Sequence, residues 1–130
     1  MKREIKFRAK DERSSEWCVG ELHLSSKVPH IHPDVLSSVP IDPDTIGQFT
    51  GLKDKNGKEI YEGDIVKAPY LDPIFGGVVN NMFVNIVVGY NKGSFVLEYD
   101  GNLRVYISDL YDNIEIIGNI YDNPELLTEK

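Results

Sequence analysis

The sequence predicts a mostly β protein, and three observations carry that expectation. Near the N-terminus Ile5, Phe7 and Ala9 alternate with Lys6, Arg8 and Lys10, the period-two pattern of a strand with one wet face. Later apolar runs are rich in valine and isoleucine, which favour sheet over helix. Asn56-Gly57, Lys92-Gly93 and Asp100-Gly101 punctuate them with residues suited to hairpin turns.

The elements follow in chain order. A first strand is expected over Glu4 to Ala9, and the polar segment from Lys10 to Glu16 reads as a turn around Ser14-Ser15. Trp17 to Leu24 reads as the return strand, with Gly20 as a candidate bulge and Trp17 as a core or hairpin anchor. Ser25 to Asp44 holds Pro29, Pro33, Pro40 and Pro43. Proline fixes φ and removes a backbone donor, so this stretch reads as a loop with one helical turn at Val35-Leu36. Ile46 and Phe49 then approach a core, and Asn56-Gly57 reverses the chain with Asp54 capping the turn. Ile60-Tyr61 pack, Glu62-Gly63-Asp64 turns again, and Ile65 to Ala68 forms a strand that Pro69 is expected to stop.

Asp72-Pro73 and Gly76-Gly77 bound a loop, after which Val78-Val79 and Met82 to Val88 supply one or two strands. Lys92-Gly93 turns into Ser94 to Tyr99, which forms a hairpin with Leu103 to Ile107 about Asp100-Gly101. A helical turn with Ser108 at its N-cap precedes a last strand, Ile114 to Tyr121, in which Gly118 marks a bulge or close packing. Asn123-Pro124-Glu125 opens a short terminal helix: a capping residue, proline at the first position, then a carboxylate. Five short strands with one helical turn before the last resemble an SH3-like small barrel. The expected organisation is an N-terminal hairpin and proline-rich loop over residues 1–45, then an SH3-like module with short helical turns over 46–130.

Composition limits the function. A chain of 130 residues that is 41% hydrophobic is the size of one domain or two small modules. No apolar run approaches the roughly 20 residues that span a bilayer, and the alternating N-terminus lacks the apolar stretch of a signal peptide. The single Cys18 fits a reducing compartment, so a cytoplasmic location is expected, with no membrane partner. Residues 1–16 hold six Lys or Arg against four Asp or Glu, whereas residues 94–130 hold two against eight. The net charge of −7 opposes approach to a nucleic acid. The local basic strand reads first as a solvated sheet face.

The most informative stretch is Gly47 to Val66, which packs two reversals into a short run. Thr50, Lys53, Lys55, Tyr61 and Asp64 are candidates for a recognition surface around the turns. The alternative is mechanical: Asn56, Gly57 and Gly63 enforce the reversals and Tyr61 packs. The mechanical reading has the more direct cause. His30 and His32, with Asp34, form the best metal constellation, since alternate residues of an extended chain point the same way. A structural zinc site uses four ligands, so the expectation is an exposed loop without metal. Asp42 and Asp44 are too few for calcium. Cys18 has no basic neighbour in sequence to activate it, and no phosphate-binding loop is present. No catalytic group and no cofactor are expected.

Several of these stretches resemble one family, the YopX proteins of phages and prophages. Met1 to Ala9 match the family opening, Gly47 to Val66 its central run, and Ile116 to Leu127 its ending. Trp17 to Leu22 is similar to a family variant. Ser25 to Asp44 and Tyr70 to Asn91 depart from the pattern. The resemblance implies a phage or prophage origin and a bacterial cytoplasmic setting, and it brings no catalytic residues. The functional expectation is a non-enzymatic interaction protein that self-associates through sheet edges or the N-terminal hairpin and binds a host or phage protein. The alternative is a nucleic-acid-associated accessory protein using the basic N-terminal strand.

Overall fold

The computed structural model describes residues 4–72, 74, 77–99 and 103–127. Lys2 and Arg3, part of the loop at Pro73 and Gly76, and the Asp100-Gly101 turn lie outside the described residues. Of the described residues 53% are in strands and 11% are helical, all of the latter in isolated 3₁₀ turns, and one sheet curls into a half-barrel. The fold is therefore mostly β. The chain divides into two compact units, residues 1–51 and 52–130.

Unit 1 contains β1 (Phe7–Lys10), β2 (Trp17–His23), β3 (His30–His32), β4 (Val39–Pro40), a 3₁₀ turn at Pro43–Thr45 and most of β5 (Gly47–Lys53). The strand order is β4-β3-β2-β1-β5. Ala9, Ile31 and Ile41 are fully buried and gather Phe7, Cys18, Leu22, Val39 and Ile46 around them. Ile5 lies before β1 and is 57% exposed, so the apolar alternation reaches the core only from Phe7 onward. Gly20 is not a bulge: β1 and β2 pair continuously from Phe7↔Gly20 to Lys10↔Trp17. A side chain at Gly20 would instead collide with the carbonyl of His32, whose strand crosses closely there.

The expectation of a loop over Ser25 to Asp44 is corrected. That segment makes two strands and a 3₁₀ turn, and it supplies Ile31 and Ile41 to the core. Its prolines sit where their missing donor does little harm. Pro33 lies just past β3, Pro40 ends the edge strand, and Pro43 opens the 3₁₀ turn after Asp42, whose Oδ1 accepts from the Asp44 amide at 3.0 Å. The Asp42 amide donates to the Lys10 carbonyl (2.9 Å) and the Lys10 amide to Thr45 Oγ1 (2.9 Å), fastening the segment to β1. Val35-Leu36 form a turn and not a helix.

Unit 2 contains β6 (Glu59–Tyr61), β7 (Asp64–Leu71), β8 (Val78–Asn91), β9 (Ser94–Glu98), β10 (Arg104–Tyr106), 3₁₀ turns at Ile107–Asp109 and Tyr111–Asn113, β11 (Glu115–Asn119) and a 3₁₀ turn at Pro124–Leu127. Strands β7 to β10 form an antiparallel meander, and after the two 3₁₀ turns β11 returns to pair with β7, giving the order β10-β9-β8-β7-β11. This is the strand order of a small barrel. Ile60, Val66, Leu97 and Ile114, all fully buried, centre its core. The β8–β9 turn uses positive φ at both Lys92 (50°) and Gly93 (86°) between the paired Asn91 and Ser94, the geometry that two-residue hairpins favour.

Two local expectations change, at Pro69 and Ser108, and the choice between one and two strands after Gly77 resolves to one. Pro69 does not stop β7, which runs on to Leu71. The neighbouring β11 extends only to the Glu115↔Lys67 pair, so Pro69 has a strand on one side only and a missing donor is tolerated. The stretches Val78-Val79 and Met82 to Val88 belong to one strand, irregular near Asn81 (φ 64°) and shifted in register opposite Pro69 and Leu71. Ser108 is not an N-cap, because it lies inside its 3₁₀ turn and the cap is Tyr106, without a side-chain bond.

Candidate functional site

The central run is built around two buried carboxylates. Asp54 is 5% exposed and stands at the head of the β5–β6 turn. Its Oδ1 accepts from the amides of Asn56 and Lys58, each at 2.9 Å, and its Oδ2 accepts from the amide of Ile116 at 2.9 Å. The Lys55 amide donates to the Ile114 carbonyl at 3.1 Å. The turn thus lies along the outer edge of β11 and occupies backbone groups that a further strand would otherwise seek. Burial alone would raise the Asp54 carboxyl, but the three amide donors reverse this and hold it below the ordinary range.

Of the two residues in Asn56-Gly57, only Gly57 has positive φ (84°). Its amide closes the turn on the Asp54 carbonyl at 3.0 Å, and the Asp54 amide pairs with the Lys58 carbonyl at 2.8 Å. Asp64, 2% exposed, accepts from the Tyr61 amide at 2.7 Å across Glu62-Gly63. Gly63 (φ 94°) donates to the Val88 carbonyl at 2.9 Å and accepts from the Ile120 amide at 3.0 Å. It therefore joins the second turn to β8 and to the chain just after β11.

A second fastening, unforeseen from the sequence, holds the C-terminal segment. Asn119 Oδ1 accepts from the amides of Tyr121 (3.0 Å) and Asp122 (2.9 Å), while Asn123 Oδ1 accepts from the Asn119 amide (3.2 Å). Asn123 therefore turns back onto β11, and the 3₁₀ turn at Pro124–Leu127 begins beyond it. The β7–β11 register shifts between Ile116 and Gly118, and a Cβ on Gly118 would come within 2.6 Å of Asn123 Oδ1. Asn85 Nδ2 on β8 donates to the Leu126 carbonyl at 3.0 Å. The available signal was two asparagines four apart beside a proline.

The five candidate recognition residues divide by exposure. Tyr61 (5% exposed) and Asp64 are buried in the frame, and the Tyr61 hydroxyl donates to Glu59 Oε1 at 3.3 Å. Lys53 and Lys55 are exposed, with Lys55 Nζ 3.9 Å from a Glu115 carboxylate oxygen. Thr50 is partly buried on β5 in unit 1. From the unit-2 part of the run, a partner would meet Lys53, Lys55, Asn56 and Gly57.

The cations of the N-terminal strand lie against aromatic rings. Lys6 Nζ is 4.9 Å from the Phe49 ring centre and 3.2 Å from Glu4 Oε2. The Arg8 guanidinium and Lys10 Nζ lie 4.7 Å and 5.5 Å from the Trp17 ring centre. Trp17 is partly buried and anchors the hairpin by this stacking.

His30 and His32 fall on β3, not in a loop, and both are partly buried. His30 Nδ1 lies 2.7 Å from the Val28 carbonyl, and Asp34 Oδ1 accepts from the Leu36 amide at 2.9 Å. The histidine that meets His32 is His23 on β2, with ring centres 4.0 Å apart. Among the described residues no group of three or more His, Cys, Asp or Glu is arranged to hold a metal ion. Cys18 is partly buried, and burial pushes its thiol up. No helix among the described residues is long and apolar enough to cross a membrane.

Comparison with known proteins agrees with this architecture. The chain is similar to protein EF1440 from Enterococcus faecalis, known from a crystal structure, at 30% sequence identity and a TM-score of 0.57, covering 98% of this chain and 100% of that one. A search of the curated proteins found no match. The family model for the YopX protein matches residues 4–128, a span that includes β1, both turns of the central run and the asparagine-fastened segment after β11. The chain belongs to the YopX family.

Proposed function

We propose that this chain is a non-enzymatic, self-associating interaction protein, encoded by a phage or prophage and acting in the bacterial cytoplasm on a host or phage protein. The observation that carries this reading is the turn between β3 and β4. Val35 is 96% and Leu36 94% exposed there, and the Asp34 side chain, bonded to the Leu36 amide, fixes the turn that displays them. Each aliphatic side chain left in water forgoes about 1.5–3 kcal/mol of burial. Two adjacent ones on an ordered turn suit a contact with another protein.

The chemistry of the buried carboxylates supports the non-enzymatic part. Asp54 has three backbone amides on its two oxygens and Asp64 accepts from the Tyr61 amide, so each has a structural task. The stacked cations of β1 and the preceding residues, Lys6, Arg8 and Lys10, favour a protein partner over nucleic acid, since their charge is already set against aromatic rings. The C-terminal excess of carboxylates favours the same choice.

Sedimentation and pull-down from host cells test the reading with the Val35→Ser, Leu36→Ser double variant. The wild-type chain is expected to sediment above monomer mass and to capture a partner. The double variant should lose one or both while melting like wild type, because neither side chain belongs to a core. A monomeric wild type that captures nothing overturns the proposal.

A further inference from the structure

All three histidines of the chain lie on one β-ribbon. The β2–β3 register pairs Glu21 with His32, Leu22 with Ile31, and His23 with His30. Successive side chains of a strand point to opposite faces. Ile31 is fully buried and Leu22 packs with it in the core, so Glu21, His23, His30 and His32 share the other face as a two-by-two array. Opposite residues such as Glu21 and His32 have Cβ atoms about 5 Å apart, and diagonal ones such as His23 and His32 about 7–8 Å, a gap that long side chains still bridge. One ion with bonds of about 2 Å to imidazole and carboxylate tips fits between them.

The side chains already stand close together. The His23 and His32 ring centres are 4.0 Å apart with planes tilted by 35°, and His23 Nε2 lies 3.1 Å from Glu21 Oε1. We propose that this face binds one divalent ion of the borderline class, zinc, nickel or copper(II), through His23, His32 and Glu21, with water completing the coordination. Imidazole nitrogen with one carboxylate selects this class over calcium and magnesium, which take oxygen ligands.

In the arrangement described the two rings stack, and no three donors converge. Binding therefore turns the His32 ring out of the stack while His23 and Glu21 keep their approach. His32 is partly buried and stands on the face opposite the buried Ile31, so its rotation leaves that core in place, and the His23 and Glu21 side chains are 42% and 77% exposed. The His32 carbonyl lies close against Gly20. The donor set differs from the His30, His32 and Asp34 set that sequence spacing suggests. Asp34 is engaged at its turn, whereas His23 enters through strand pairing.

The test is calorimetric titration of the untagged full chain with zinc chloride and with nickel chloride, alongside thermal melts. One equivalent is expected to bind at neutral pH and to raise the melting temperature. It should be lost in His23→Ala and in His32→Ala and weakened several-fold in Glu21→Gln. In the wild type, zinc should shift the imidazole resonances of His23 and His32 more than those of His30, a readout that needs no variant to fold. Absence of binding at millimolar zinc, equal binding of calcium, or an equivalent retained in the His23→Ala, His32→Ala double variant overturns the proposal. So does a zinc titration that leaves the His23 and His32 resonances unmoved.

Discussion

The carboxylate of Asp54 takes the backbone amide of Ile116 at 2.9 Å, across 62 positions of sequence. A side chain thereby stands where a neighbouring strand's carbonyl would stand, and a turn covers the edge of β11. Asp54→Ala should remove this cover and leave a buried amide without an acceptor, which costs about 2 kcal/mol or more. Asp54→Asn keeps one acceptor oxygen and should lose less. Urea melts measure both, and amide exchange at Ile116 should quicken in each variant. An Asp54→Ala chain within about 0.5 kcal/mol of wild type would show that the edge lock contributes nothing.

The same group sets a direction for acid stability. The folded-state pKa of Asp54 lies below the ordinary carboxyl value of 3.8. A carboxylate depressed in this way contributes stability that is present above its unfolded pKa and is lost as pH falls through the folded one. Wild type should therefore lose stability below pH 3.8, and Asp54→Asn should show a shallower loss over the same range. Chemical melts at successive acid pH values compare the two slopes. Parallel curves would assign the acid loss to other carboxylates.

Gly57 and Gly63 both hold positive φ, but their surroundings differ. A Cβ on Gly57 meets nothing within 4 Å, whereas one on Gly63 comes within 3.3 Å of Tyr121 Cε2. Gly57→Ala should cost about 1 kcal/mol from backbone strain alone. Gly63→Ala should cost more, since Gly63 also bonds Val88 and Ile120 through its backbone. Thermal melts decide, and two variants as stable as wild type would remove the mechanical account of the central run.

These features separate what sequence makes legible from what it does not. Lys92-Gly93 and the Asp54 cap of the Gly57 turn are local chemistry, with donors and acceptors a few residues apart, and they can be read directly. Strands β3 and β4 have three and two residues, too short for any period. They exist because β2 offers them a partner, so the prolines around them suggested a loop. Of the candidate recognition residues, Tyr61 and Asp64 carry reactive-looking side chains, but their burial depends on pairing that no local pattern encodes. His23 and His32 meet only because the ribbon register brings them together.

A long-range bond of a different kind joins Tyr99 to Pro69. The Tyr99 hydroxyl donates to the Pro69 carbonyl at 2.8 Å, beside the place where β7 continues past its proline. Burial pushes this phenol up from 10.0 to about 12, because a phenolate there would lose its water. A group whose folded pKa is raised contributes stability that is fully present below the unfolded value and is lost as pH rises through the folded value. The loss should therefore fall between pH 10.0 and about 12. Tyr99→Phe should cost about 1 kcal/mol at neutral pH, the net worth of one hydrogen bond, and should flatten the alkaline loss. The chain has seven tyrosines, so the phenolate absorbance of wild type minus Tyr99→Phe isolates this one. A difference titration centred near 10 would mean that the hydroxyl is open to water and that Pro69 is not held by it.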